Sequence, residues 1–120
     1  MGATISTESE FTAAADRTLA AIGEALDIAL AASDVDLDWS LNDGILEIEC
    51  ADGSKVIVNR HGPNREIWVA ARSGGFHFRP SARLWRDTRS GEELGAALAA
   101  LMHDQAGLPV HLPPLAAPAT

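Results

Sequence analysis

Between Asp34 and Leu41 the chain alternates without a break: Val35, Leu37, Trp39 and Leu41 are apolar, while Asp34, Asp36, Asp38 and Ser40 are polar. A side-chain repeat of two marks an extended strand with one buried and one wet face. The pattern predicts a strand from Asp34 that sets three aspartates in a row on its wet face. Asn42-Asp43-Gly44 reads as a tight turn. The strand should therefore fold back as a hairpin onto residues 45–50, where Leu46, Ile48 and Cys50 alternate with Glu47 and Glu49.

Upstream, Phe11, Ala15, Thr18, Ile22, Leu26 and Ala29 recur at helical spacing, which predicts a helix over 8–32. Ser9 can cap it; Thr7 is the alternative, because Glu10 would complete a capping box. Downstream, Asp52-Gly53 is a turn before a third strand over 55–59, and 61–64 form a loop. A fourth strand over 66–71 turns Ile67 and Val69 to the core and Trp68 to the opposite face. Gly74-Gly75 is a turn before a fifth strand over 76–79, and a short sixth follows over 84–87. Ser90 is expected to cap a second helix, with Glu92 and Glu93 in its first turn and Gly107 at its end. The order predicts an α+β fold: a two-layer α/β sandwich in which N- and C-terminal helices pack on one face of an antiparallel sheet of five to six strands. The other sheet face lies open to solvent. The domain is expected over 8–112, with flexible termini at 1–7 and, in a proline-rich stretch, at 113–120.

A chain of 120 residues fits one domain. Its one cysteine, Cys50, excludes a disulfide framework and a cysteine-rich metal site, and suits a reducing, cytoplasmic setting. No apolar run approaches a bilayer span, and the first ten residues lack the features of a secretory signal. Gly2 and Ser6 match the N-myristoylation pattern, which is short enough to arise often by chance. Charge is unevenly placed. Residues 1–52 hold twelve acids and one base, and residues 53–120 hold five acids and eight bases. That asymmetry favours a cation or a basic protein partner at the acidic end, and argues against nucleic acid or an anionic membrane there.

Glu24 and Asp27 near the helix end, with Asp34, Asp36 and Asp38 on the strand, form a candidate acidic edge. Carboxylate oxygens suit hard cations. Neighbours on one strand face stand about 7 Å apart, which predicts weak, open, partly hydrated sites rather than a cage. A solubilising face without a ligand is the alternative, although like charges side by side cost stability. Trp68 is a candidate partner contact on the open face, or else packs beneath a neighbouring loop. His61, His77, His103 and His111 lack ligand spacing and read as loop or surface residues. Cys50 reads as a packed thiol. No nucleophile elbow, P-loop or dinucleotide fingerprint is present in the sequence.

Several segments occur in one order: Ser9-Glu10-Phe11, Asp34-Val35-Asp36, Asp52-Gly53-Ser54-Lys55, Val58-Asn59-Arg60 through Pro63 to Ile67-Trp68, Gly74-Gly75-Phe76-His77-Phe78, Trp85, and Arg89-Ser90-Gly91. In this the chain resembles the bacterial frataxin family over about residues 8–112. The resemblance implies a helix–sheet–helix fold with both helices on one face. It implies weak binding of ferrous and ferric iron along an acidic ridge at Glu24, Asp27, Asp34, Asp36 and Asp38, with Glu8 and Glu10 near its start. It further implies binding to the cysteine desulfurase and the iron–sulfur scaffold protein, with Asn59 and Trp68 at the sheet positions implicated in partner contact. The implied role is a non-enzymatic regulator or iron carrier in iron–sulfur cluster assembly, monomeric without iron; ferroxidase activity is claimed for some relatives. A metal-independent adaptor is the rival. Gly23, Ile28, Leu30 and Ala32 stand where such proteins carry further acids, and His61 and Glu66 where they often have glutamine.

Overall fold

The computed structural model describes residues 7–119. The myristoylation pattern and the expected flexible start at 1–6 lie outside the described residues. Helix α1 spans Glu8–Ala31. Thr7, rather than Ser9, is its cap: the Glu10 amide donates to Thr7 Oγ1 (3.1 Å) and the Thr7 amide to Glu10 Oε1 (2.8 Å). Those bonds tie Thr7 down and hold the Glu10 carboxyl below its ordinary range. The stripe of Phe11, Ala15, Leu19, Ile22 and Leu26 is buried.

Six strands follow: β1 (Leu37–Asn42), β2 (Ile45–Cys50), β3 (Lys55–His61), β4 (Glu66–Ala71), β5 (Gly74–Ser81) and β6 (Leu84–Asp87). They form one antiparallel meander in sequence order. The first hairpin turns on Asp43 (φ 47°) and Gly44 (φ 76°), both left-handed as a type I′ turn demands. β1 begins three residues later than the alternation predicts. Leu37 pairs with Cys50, the last residue of β2, and the chain then turns through 51–53, so β2 offers no further residue to Asp34, Val35 and Asp36. β3 runs past residue 59 to His61, which removes His61 from the expected loop, and β5 starts at Gly74.

Helix α2 spans Leu94–Ala106 and is capped by Glu93, not Ser90. Ser90 is engaged in the turn before it, where Asp87 Oδ1 accepts from the amides of Arg89 and Ser90, and Ser90 Oγ accepts from Glu92. Glu93 then takes the amides of Gly95 (2.7 Å) and Ala96 (3.1 Å). Gly107 ends the helix in the left-handed conformation.

Both helices lie on one face of the six-stranded sheet, over a core that includes Leu46, Ile48, Val56, Val58, Ile67, Phe78 and Trp85. Cys50 is buried there as a free thiol. The expectation of a flexible tail is corrected over 113–119. Leu115 and Ala117 are buried, Ala116 bridges to Leu84 at the edge of β6, and the Ala117 amide donates to Arg83 O at 2.8 Å. The indole of Trp85 donates to Thr18 Oγ1 (3.0 Å) and to Ala116 O (3.1 Å), and the Leu115 amide reaches the Glu93 carboxylate at 2.9 Å. Prolines keep this stretch extended, as expected, but it is extended along a groove rather than in water.

Candidate functional site

The acidic edge is built where α1 meets β1. Trp39 projects from β1 onto α1 at Gly23, where a Cβ would stand 2.7 Å from its ring. The ring's nitrogen donates to Asp27 Oδ1 at 2.8 Å. The glycine that replaces an expected acid thus lets the indole sit against the helix, and Asp27 is held by it. Glu24, Asp34, Asp36 and Asp38 are exposed. Of the sequence-predicted residues, Asp36 and Asp38 share one feature, an open depression of about 180 Å³ whose lining also includes Glu49. Asp38 and Glu49 face each other directly across the β1–β2 ladder. Among the described residues, no three His, Cys, Asp or Glu side chains converge as a metal-holding group.

Glu8 and Glu10 do not join this group. Glu10 is committed to the capping box, and Glu8 lies about 24 Å along the helix from Glu24 at 1.5 Å per residue. Glu49 is the acid that the sequence reading left out. The hairpin register could have found it, since a two-residue turn at Asp43-Gly44 pairs 42 with 45 and hence 38 with 49.

Two bases temper the edge at its margins. Arg60 bonds Asp16 and lies 3.6 Å from Asp43, while Lys55 holds Glu47 at 2.9 Å.

The open sheet face carries a second arrangement. Trp68 stands on that face, as its alternation predicted, but both sides of its ring are covered. The His61 ring stacks on one side (centroids 3.6 Å apart, 11° between planes) and His77 on the other (4.3 Å, 8°). Beneath them Glu66 is 3% exposed. It accepts from the Trp68 indole (2.9 Å) and from Arg79 (3.0 Å), and His77 Nδ1 is 3.7 Å away. Burial alone would raise the Glu66 carboxyl. The bonds from Trp68 and Arg79, with the charge of Arg79 and of His77, outweigh it and hold the carboxyl below its ordinary range. Asn59 lies directly across from Trp68 on β3. His61 and His77 are thus strand residues at the surface of this face, and what the sequence reading did not draw is their stacking on Trp68. Cross-strand stacking depends on register, which no linear spacing displays.

Comparisons with known proteins agree with this fold. The family model of the frataxin-like domain matches residues 4–108. The iron-sulfur cluster assembly protein CyaY of Dechloromonas aromatica is 55% identical over 101 residues, covering 83% of this chain and 92% of the relative. Its counterpart in Cupriavidus pinatubonensis is 50% identical over 99 residues, covering 82% and 89%. Frataxin from Psychromonas ingrahamii superposes with a TM-score of 0.73 at 28% identity, covering 88% and 96% of the two chains. Trimeric yeast frataxin, complexed with ferrous iron, superposes with a TM-score of 0.69 at 22% identity, covering 87% and 89%; at that identity the likeness concerns the fold. No helix among the described residues is long and apolar enough to cross a membrane. The match over most of the chain, with relatives near half identical and the same two helices on an antiparallel sheet, places this chain in the frataxin-like (CyaY) family.

Proposed function

We propose that this protein works in iron–sulfur cluster assembly, as its CyaY relatives are named to do, carrying iron weakly or regulating the machinery through its acidic edge. Asp36, Asp38 and Glu49 around one open depression carry the reading. Three exposed carboxylates suit hydrated ferrous or ferric ions as cargo, bound loosely enough to be released. The same edge would dock on a basic surface of the cysteine desulfurase, and Asn59 with the Trp68 stack would face the scaffold protein. In this reading the protein is a cytoplasmic, non-enzymatic monomer until iron loads it. Titration with ferrous iron without oxygen, and with a redox-inert trivalent lanthanide, should move the amide resonances of Asp36, Asp38 and Glu49. Unmoved resonances at millimolar metal would end the iron half of the proposal.

A metal-independent adaptor is the second reading. It is favoured by the lack of any converging ligand group among the described residues. Desulfurase binding that is unchanged by iron, yet weakened at low salt by Asp36→Lys, would select it.

A further inference from the structure

The carboxylate beneath Trp68 has an acceptor position to spare. An ionised carboxyl offers about four. Glu66 Oε2 takes both Arg79 Nε (3.3 Å) and Nη2 (3.0 Å), and Oε1 takes the Trp68 indole (2.9 Å). His77 Nδ1 stands 3.7 Å from Oε1, just outside hydrogen-bond length. The same imidazole lies flat on one face of the indole. A neutral ring gains stacking there and at most an ordinary hydrogen bond. A charged ring gains more on both counts. Its Nδ1–H completes the carboxylate by a charge-assisted bond, and its cation sits over the π-face. Glu66 is buried, so solvent weakens that attraction little.

The charged groups around His77 come from four strands. On β4 there is Glu66, which stays ionised because its carboxyl is held below the ordinary range. On β5 there is Arg79, mostly exposed and bound to the other oxygen of Glu66. On β6 Arg86 stands opposite Arg79 and donates to Gly91 O at 3.1 Å. Asp87 takes two amides of the turn that follows, which also holds Arg89. On β3 His61 lies beyond the indole, directly across from Glu66, and Arg65 stands in the turn between β3 and β4. The arginines stay charged. An imidazole is the side chain that changes charge between pH 5 and 8. The two imidazoles differ in what a proton on Nδ1 would meet. His61 Nδ1 accepts the Asn64 amide at 3.3 Å, a bond that a proton there would end. His77 Nδ1 faces a carboxylate oxygen.

We propose that His77 and Glu66 form a proton-controlled clasp on Trp68. Proton uptake at His77 fixes its ring against the indole and covers that face. Proton loss lets the ring turn away and opens it. The regulatory consequence rests on the reading that this sheet face meets the scaffold protein. The indole face would be offered at higher pH and withheld at lower pH.

Exchange of the Trp68 indole proton with water, followed by NMR on the free full-length chain, tests the clasp itself. The Trp39 indole, which donates to Asp27 at the junction of α1 and β1, is the reference that cancels the intrinsic pH dependence. The ratio of the two rates should fall about threefold from pH 8 to pH 6. It should stay level in His77→Gln and in Glu66→Gln, each of which removes one charge of the pair, and keep its response in His61→Gln. The His77 side chain is half-exposed, so its replacement leaves the core intact, which an unchanged amide spectrum verifies. A level ratio in wild type, or a response that survives His77→Gln, overturns the clasp. A response lost in His61→Gln alone gives the proton to the other imidazole and overturns the pairing with Glu66. Scaffold-protein affinity tests the consequence: about threefold weaker at pH 6 than at pH 8 relative to His77→Gln. Equal pH dependence in wild type and His77→Gln overturns the regulatory role while the clasp stands on the indole ratio. If the wild-type chain binds no scaffold protein at either pH, the docking reading fails and the regulatory role with it, and the indole ratio still decides the clasp.

Discussion

Replacing Gly23 by alanine is predicted to destabilise the protein, although alanine is the better helix former. The favourable part is the helix propensity, about 1 kcal/mol in an α-helix interior. The opposing part is the indole. A Cβ at Gly23 would sit 2.7 Å from Cη2 and 2.9 Å from Cζ3 of Trp39, where carbon atoms settle at about 3.5–4.0 Å. The ring must retreat by roughly 1 Å. Its nitrogen is tied to Asp27 at 2.8 Å, and a retreat of that size takes the pair beyond the usual range of about 3.2 Å. Overpacking costs about 1–3 kcal/mol, and the lost hydrogen bond about 0.5–1 kcal/mol at this solvent-facing position. The net loss is about 1–2 kcal/mol, a drop in Tm of roughly 5 °C for a chain of this length. Urea and thermal unfolding of wild type and Gly23→Ala, followed by circular dichroism, measure it. The same substitution in a Trp39→Leu background tests the cause. With the ring gone only propensity remains, and Gly23→Ala should stabilise by about 1 kcal/mol. An equal effect in both backgrounds, or a Gly23→Ala protein as stable as wild type, would refute the argument.

Other substitutions probe the remaining features. The carboxyl of Glu66 is held below its ordinary range in the folded protein, so its contribution is present above the unfolded carboxylate range and lost as pH falls through the folded value. Glu66→Gln should therefore cost about 1–2 kcal/mol at neutral pH, with the gap to wild type closing in acid; a gap that stays constant down to acid pH contradicts the assigned cause. Leu115→Ala should lower global stability by about 2–3 kcal/mol in one cooperative transition, whereas a tail free in solution would leave the urea midpoint untouched. Glu93→Ala removes both the cap of α2 and the partner of the Leu115 amide, so a loss of about 1–2 kcal/mol is expected by chemical denaturation.

Much of the fold was legible because amphipathic periods report burial directly. Two helices, a sheet of five to six strands, the Trp68 face and the burial of Cys50 all follow from spacings of 3.6 and 2.0. The boundaries that shifted did so for lack of a partner rather than of pattern. Asp34 and Asp36 keep the alternation of a strand but stand beyond the last residue of β2. Ser90 has the chemistry of a cap but is engaged in the preceding turn, leaving Glu93 to cap α2. The tail misled because proline and alanine read as disorder, while Trp85 and Thr18 lie 31 and 98 residues away from the Ala116 carbonyl they approach.

By itself, the sequence determined the period of each element, the face on which each apolar residue would be buried, and the concentration of acids between Arg17 and Lys55. These are local properties, set by side-chain spacing and charge. The tertiary structure alone decided that Glu49 joins Asp36 and Asp38, that Trp39 holds Asp27 over Gly23, that two imidazoles cover Trp68 above a buried Glu66, and that the tail returns to β6 and the Trp85 indole. Each depends on strand register or on where a helix lands against a distant segment. A one-residue slip in register would carry a strand's side chains to the other face, and the packing of whole elements against one core selects the register that holds these groups together.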